Sequence, residues 1–167
     1  GGVDTRLCYA IEDLVEEMAK EGDDRFDYII IDCGPRLDMT TTNAIVALEA
    51  GNNASHIIIP IKVDGFAIAG LSQTIDTINR TAKERRLPQH WKILQTMIER
   101  KTSAYKVGCE LLKEAIPNAE YFNTKIEKST VVPEASLAME PLITYAPDSK
   151  PGMQYRLLAQ EIEEMNA

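Results

Sequence analysis

The chain has 167 residues, 44% hydrophobic and 26% charged, with 26 acidic against 18 basic side chains and a net charge of −8. That length suits one domain with a real core, and neither a membrane-spanning apolar run nor a secretory signal is present. The acidic balance repels nucleic acid in bulk, so any phosphate contact needs a local basic patch. Three scattered cysteines and two distant histidines form neither a disulfide framework nor a metal-ligand spacing, so a cytoplasmic protein without structural metal is expected.

Gly1-Gly2-Val3 is not followed by the Gly-Lys-Ser/Thr of a phosphate loop and reads as a cloning remnant or a trimmed edge. Asp4 or Thr5 is placed to cap a helix with Leu7, Ile11, Leu14, Val15 and Met18 on its apolar side, ended by Gly22-Asp23-Asp24. Tyr28 to Ile31 is a short apolar run containing three isoleucines, the pattern of a strand buried on both faces of a parallel sheet. It delivers Asp32 at its carboxyl end, where open α/β sheets bind ligands. Four apolar residues followed by Asp is the Walker B arrangement, in which the carboxylate orders the water shell of a nucleotide-bound Mg²⁺. The plainer alternative is an Asp that caps the following turn.

An alanine-rich helix, Ala44 to Ala50, is expected to stop at Gly51-Asn52-Asn53. Ile57 to Ile61 forms a second buried strand, and Asp64-Gly65 opens a long helix with Leu71, Ile75, Ile78 and Ala82 inward. The basic cluster at that helix's end, Lys83, Arg85 and Arg86, complements the helix dipole. Trp91 to Ile98 is a third strand, and Ser103 is placed to cap a helix burying Val107, Leu111, Leu112 and Ala115. Glu120 to Ile126 is extended, a short helix begins at Val132-Pro133-Glu134-Ala135, and Pro141 to Pro147 is a loop. The last helix buries Tyr155, Leu158, Ala159, Ile162 and Met165. Strands alternating with helices imply an α/β fold, a mostly parallel sheet with helices on both faces.

Several of these segments carry a motif in sequence order. Asp32-Cys33-Gly34-Pro35 leads through a loop to Thr40-Thr41-Thr42-Asn43-Ala44. Then come Ile59-Pro60, Phe66, Gly70-Leu71 and Asp76-Thr77-Ile78, followed by Thr96-Met97 with the basic-Thr loop Arg100-Lys101-Thr102. The chain closes on Tyr145-Ala146-Pro147-Asp148-Ser149 and Tyr155-x-x-Leu158-Ala159-x-Glu161. This series, covering about Leu7 to Ile162, resembles the ParA/Soj family of partition ATPases, deviant P-loop proteins related to MinD.

The resemblance implies a P-loop NTPase-like fold lacking its N-terminal phosphate-loop strand and helix, with residues 1–167 forming one C-terminal portion of the ATPase domain. It implies that Asp32 organises Mg²⁺, that Gly34 and Pro35 sense the γ-phosphate, and that Thr96, Met97, Ile126 and Glu127 flank the base. Arg100, Lys101 and Lys128 are the DNA-binding candidates, against the plainer reading of a solvated basic loop. In the intact system the resemblance implies ATP, a homodimer, non-specific DNA and a centromere-binding partner protein. A membrane role of the MinD kind is set aside, because the last helix is acidic on its polar face where a membrane-surface helix would be basic.

Three departures qualify this. Gly34 replaces the first proline of the switch, Glu127 replaces the proline of the "I-P" turn, and Val131 stands where relatives often carry arginine. Without a phosphate loop's amides and lysine, the chain alone is expected to bind no cofactor and not to hydrolyse ATP. The Tyr28–Ile31 strand is expected to be left as an exposed edge of a fragment, open to self-association. A non-catalytic protein-binding module derived from the same family is the alternative.

Overall fold

A computed structural model describes residues 5–21, 26–34, 36–87 and 90–165. The chain is α/β, with a parallel sheet flanked by helices. It divides into two compact units, Gly1–Ile57 with Gln73–His90, and Ile58–Ser72 with Trp91–Ala167. No helix of the described residues is long and apolar enough to cross a membrane.

In the first unit, helix α1 (Arg6–Glu21) packs on α2 (Met39–Val46) and on the 3-10 segment Ala47–Ala54. Helix α2 starts before Ala44 because Asp38 is a strong N-cap, its carboxylate accepting from Thr40 N at 2.9 Å and Thr41 N at 3.3 Å. Cys8, Ala44, Ile45, Val46 and Ala47 form the buried contact, whereas Leu14 and Val15, expected inward, are exposed. The expected helix stop at Gly22-Asp23-Asp24 and the candidate cap Asp4 lie outside the described residues.

Tyr28 to Ile31 is not the buried strand expected. It has no regular secondary structure, and Ile30 is 91% exposed. An isolated extended segment gains nothing from its β-branched side chains until a neighbour completes its ladder, and none of the described segments does so.

Helix α3 (Gly65–Arg85) buries Ile68, Leu71, Ile75, Ile78 and Ala82 along one stripe, as its period requires. Its end is a Schellman turn, Leu87 N donating to Ala82 O at 2.8 Å, with Arg86 left-handed at φ 58 where glycine is usual.

In the second unit, β1 (Ile57–Lys62) pairs with β2 (Trp91–Thr96), and α3 is the crossover between them in sequence. Segment 120–128 lines the other side of β2 through parallel bridges at Ile93–Tyr121 and Ile98–Glu127. From one bridge to the other, β2 advances from residue 93 to 98 and its neighbour from 121 to 127, so the neighbour carries one extra residue. Two distortions absorb the mismatch. Phe122 N bonds Ile93 O at 3.0 Å, but the next bond to β2 is Ile126 N to Gln95 O at 3.0 Å, so Asn123 to Lys125 leave the ladder. On the β2 side, Met97 turns left-handed, at φ 51, before Ile98 rejoins by donating to Ile126 O.

The amides freed by this bulge are answered from α7 (Lys150–Met165). Glu161 accepts from Asn123 N at 2.7 Å through Oε1 and from Thr124 N at 2.9 Å through Oε2. The same helix sets Leu158, Ile162 and Met165 on Leu94, Phe122 and Ile126. Tyr155 and Ala159, expected in that contact, face outward.

Helix α4 (Ser103–Ala115) is capped by Thr102 rather than Ser103, Thr102 Oγ1 accepting from Tyr105 N at 3.2 Å. Its buried stripe runs through Gly108 and Leu112, while Val107, Leu111 and Ala115, expected inward, are exposed. Gly108 is the reason: a Cβ there would lie 2.7 Å from Val63 Cγ1 and 3.2 Å from Val63 O, so the helix approaches on its smallest residue. Helix α5 (Val131–Leu137) matches the short helix read from Val132, and the Pro141–Pro147 loop contains a single turn, α6 (Leu142–Tyr145).

Two stability effects follow. Gly152, buried in the first turn of α7, would place a Cβ 2.7 Å from Ala146 O and 3.0 Å from Pro147 O. Two backbone carbonyls cannot rotate away, so Gly152→Ala is expected to cost about 1–3 kcal/mol in urea unfolding despite alanine's better helix propensity. Glu161 titrates usefully: burial raises its pKa, but the amides of Asn123 and Thr124 outweigh burial and leave it below its ordinary value of 4.5. A depressed carboxyl stabilises the fold above its unfolded pKa and loses that contribution as pH falls through the folded value. Glu161→Gln is therefore expected to cost about 1–3 kcal/mol at pH 7, with the gap to wild type closing as unfolding is measured progressively below pH 4.5.

Candidate functional site

The carboxyl end of the isoleucine run opens onto a cleft in the first unit. Ile31, Asp32 and Cys33 form one wall, Arg6, Leu7 and Ala10 of α1 a second, and Met39, Thr40, Asn43 and Ala44 of α2 the third. The volume is about 560 Å³, within the range of small-ligand sites. Asp32 is exposed there, and no ion pair engages it among the described residues. Cys33 carries a thiol whose pKa is pushed up by partial burial and then by the Asp32 charge beside it, so it is a poor nucleophile. Gly34 is exposed with no atom near its would-be Cβ, and Pro35 lies outside the described residues.

Asn43 supplies the second polar wall group. Its Nδ2 donates to Met39 O at 3.0 Å, while Oδ1 is buried without a partner among the described residues. Thr40 and Asp32 add hard oxygen donors to the same cleft. No group of three or more His, Cys, Asp or Glu among the described residues could cage a metal. One carboxylate with neighbouring hydroxyl and amide oxygens fits contact with Mg²⁺ through its water shell rather than direct coordination.

The other residues singled out in the sequence lie in the second unit. Thr96 ends β2, and Met97, left-handed and 53% exposed, turns away from the ladder. Ile126 is committed to the core beside Leu94, Phe122 and Leu158, and its backbone is used on both sides by β2. Glu127 is the hub of an ion-pair cluster. Its Oε1 receives Arg100 Nε at 2.8 Å, its Oε2 receives Lys150 Nζ at 2.6 Å, and its amide donates to Gln154 Oε1 at 2.9 Å. The Lys150 ammonium, opposed by burial and assisted by Arg100, holds the Glu127 carboxyl below its ordinary range.

Lys128 pairs with Glu99 at 2.8 Å, and Lys128 likewise holds the Glu99 carboxyl low. Of the three DNA-binding candidates, Arg100 and Lys128 are thus ion-paired, and Lys101 is exposed with no ion pair among the described residues. Lys150 and Gln154 were not legible as partners of Glu127, since nothing in their spacing marks them. Glu161 lay within a motif, but its role as acceptor for the bulge required the ladder geometry.

A separate polar cluster was also missed. Tyr105 Oη donates to Gln95 Oε1 at 2.7 Å and accepts from Lys125 Nζ at 3.4 Å. Burial, then the neighbouring Cys109, pushes the Tyr105 hydroxyl up to about 12, so it stays a neutral donor. It adjoins a cavity of about 220 Å³ lined by Gln95, Cys109, Leu112, Lys113, Tyr121 and Lys125.

Residues 4–93 match the model of a family described as an AAA domain. The sporulation initiation inhibitor protein Soj of Bacillus subtilis is 32% identical over 144 residues, covering 82% of this chain and 52% of that protein. The chromosome partitioning protein ParA of Caulobacter vibrioides is 27% identical over 163 residues, 96% of this chain and 57% of the relative. The chromosome-partitioning ATPase Soj of Treponema pallidum is 27% identical over 151 residues, 89% of this chain and 56% of the relative. The chain spans about half the length of the curated relatives it matches. With the family model covering more than half of its residues and these relatives aligned along most of its length, the chain belongs to the ParA/Soj family of partition ATPases.

Proposed function

We propose that this chain supplies the Mg²⁺-ordering half of the nucleotide site of a cytoplasmic partition ATPase. The observation that supports this is Asp32, set exposed and unneutralised in a cleft with Thr40 and Asn43. Bound Mg²⁺ would neutralise charge developing on the phosphates of ATP. Asp32 would accept hydrogen bonds from the ion's water shell, Thr40 and Asn43 would add oxygen donors beside it, and Gly34, with open space at its Cβ position, would let phosphate oxygens approach the backbone. Thr96, Met97, Ile126 and Glu127 are the residues that this reading sets beside the base. The left-handed Met97 supports that placement, because non-glycine residues keep such strain where a site requires it. Phosphate-binding amides and a lysine are required in addition for hydrolysis. Homodimerisation, contact with a centromere-binding protein, and DNA contact through Arg100, Lys101 and Lys128 complete the proposed role.

A second reading, a non-catalytic protein-binding module, is favoured by one observation. Glu127 replaces the expected proline and is held in ion pairs by Arg100 and Lys150, which fills the base-flanking edge with the chain's own charges.

The two readings separate in the gene product that contains this sequence. Asp32→Asn keeps size and polarity but removes the charge that orders the metal's waters. On the ATPase reading it lowers Mg²⁺-dependent ATP hydrolysis by about 100-fold or more, with ATP affinity in EDTA unchanged. Hydrolysis at the wild-type rate in the variant contradicts the role of Asp32, and Mg²⁺-independent behaviour of both proteins supports the module.

A further inference from the structure

Four cations from three parts of the second unit collect around the Glu127 ion pairs. Arg100 and Lys101 belong to the loop after β2, Lys128 to the segment beside it, and Lys150 opens α7. A lysine in the first turn is badly placed, since the helix dipole is positive there, and the Glu127 carboxylate 2.6 Å away offsets it. Glu127 is only 19% exposed, whereas its partners Arg100 and Lys150 are 53% and 63% exposed. The anion is therefore fixed in place while the two cations remain at the surface. In a chain of net charge −8, this edge is a concentration of positive charge that the protein largely cancels itself.

We propose that Glu127 is an internal clasp, a carboxylate that occupies Arg100 and Lys150 in place of nucleic-acid phosphate and so keeps this surface's affinity for DNA low until the carboxylate is neutralised or displaced. The inference rests on the DNA-contact reading above and adds Lys150 to its surface. A carboxylate held by two cations competes directly with a phosphate for the same donors, and it is tethered at 2.6–2.8 Å where the phosphate must arrive from solution. Exposed ion pairs are weak individually, so the clasp lowers affinity without abolishing it. Glu99 acts on Lys128 in the same sense, leaving Lys101 as the cation outside the ion pairs of this edge. The amide of Glu127 is bonded to Gln154 independently of its side chain, so changing the carboxylate leaves the backbone tether in place.

The test is fluorescence anisotropy with a labelled mixed-sequence DNA duplex at roughly 50 and 200 mM salt. Glu127→Gln is expected to tighten binding about fivefold or more at low salt, from removing one nearby negative charge. It should also steepen the salt dependence by about one to two released counterions. Glu127→Asp, whose shorter arm cannot span both cations, gives a smaller gain in the same direction and decides the matter should the glutamine variant unfold. Lys101→Ala weakens binding in either background. Unchanged affinity in both Glu127 variants, with Lys101→Ala still weakening binding, overturns the clasp and leaves the DNA surface standing. Absence of DNA binding by wild type and all variants overturns the DNA-contact reading and the clasp with it.

Discussion

Strand β2 and segment 120–128 are parallel neighbours of unequal length between their two bridges, and the second unit is built around keeping them paired. An extra residue on one side leaves backbone amides out of the ladder, those of the exposed Asn123 and the half-buried Thr124, and each needs another acceptor. The Glu161 carboxylate takes two of them at once, one on each oxygen. The same helix turn that aims Glu161 at the bulge places Leu158 on Ile126 and Phe122. Polar satisfaction and apolar burial are thus delivered by one face of α7, which ties the chain's last helix to its innermost pairing.

The mismatch also shapes the carboxyl end of the sheet. Met97 is driven into left-handed backbone, and Glu127, bridged to Ile98, sits where Arg100 and Lys150 can both reach it. A regular ladder would have kept Met97 extended and would have carried both strands forward in step. The bulge therefore sets the course of Met97 and Glu127 and the charged edge beside them, with Glu161 holding it at one end and Glu127 at the other.

Elements whose burial follows from their own period were legible in the sequence. The stripe of α3, Ile59 and Ile61 of β1 and the extended course of Glu120 to Ile126 matched, whereas Ile58 of β1, expected buried, is 38% exposed. Elements whose state depends on what lies next to them were not. Tyr28 to Ile31 has every local feature of a buried strand, yet a strand is a property of a pair, and its ladder has no described partner. In α4 the apolar residues Val107 and Leu111 suggested one face, but the helix approaches through Gly108, and close approach on a glycine leaves no hydrophobic signal. The place of Asp32 at the carboxyl end of the isoleucine run was legible because run and acid are adjacent in the chain. The meeting of Glu127 with Lys150 and Gln154 was not, since it depends on a one-residue register shift that no spacing rule encodes.

The central functional claim is that Asp32 faces the metal of a bound nucleotide. Mn²⁺ replaces Mg²⁺ and broadens nearby resonances, so an isotope-labelled sample of the gene product titrated with Mn²⁺ and ATP reports which amides lie near the ion. The account predicts ATP-dependent broadening strongest at Asp32, Thr40 and Asn43, reversed by excess Mg²⁺. Broadening that is independent of ATP, or centred on residues away from this cleft, would contradict it.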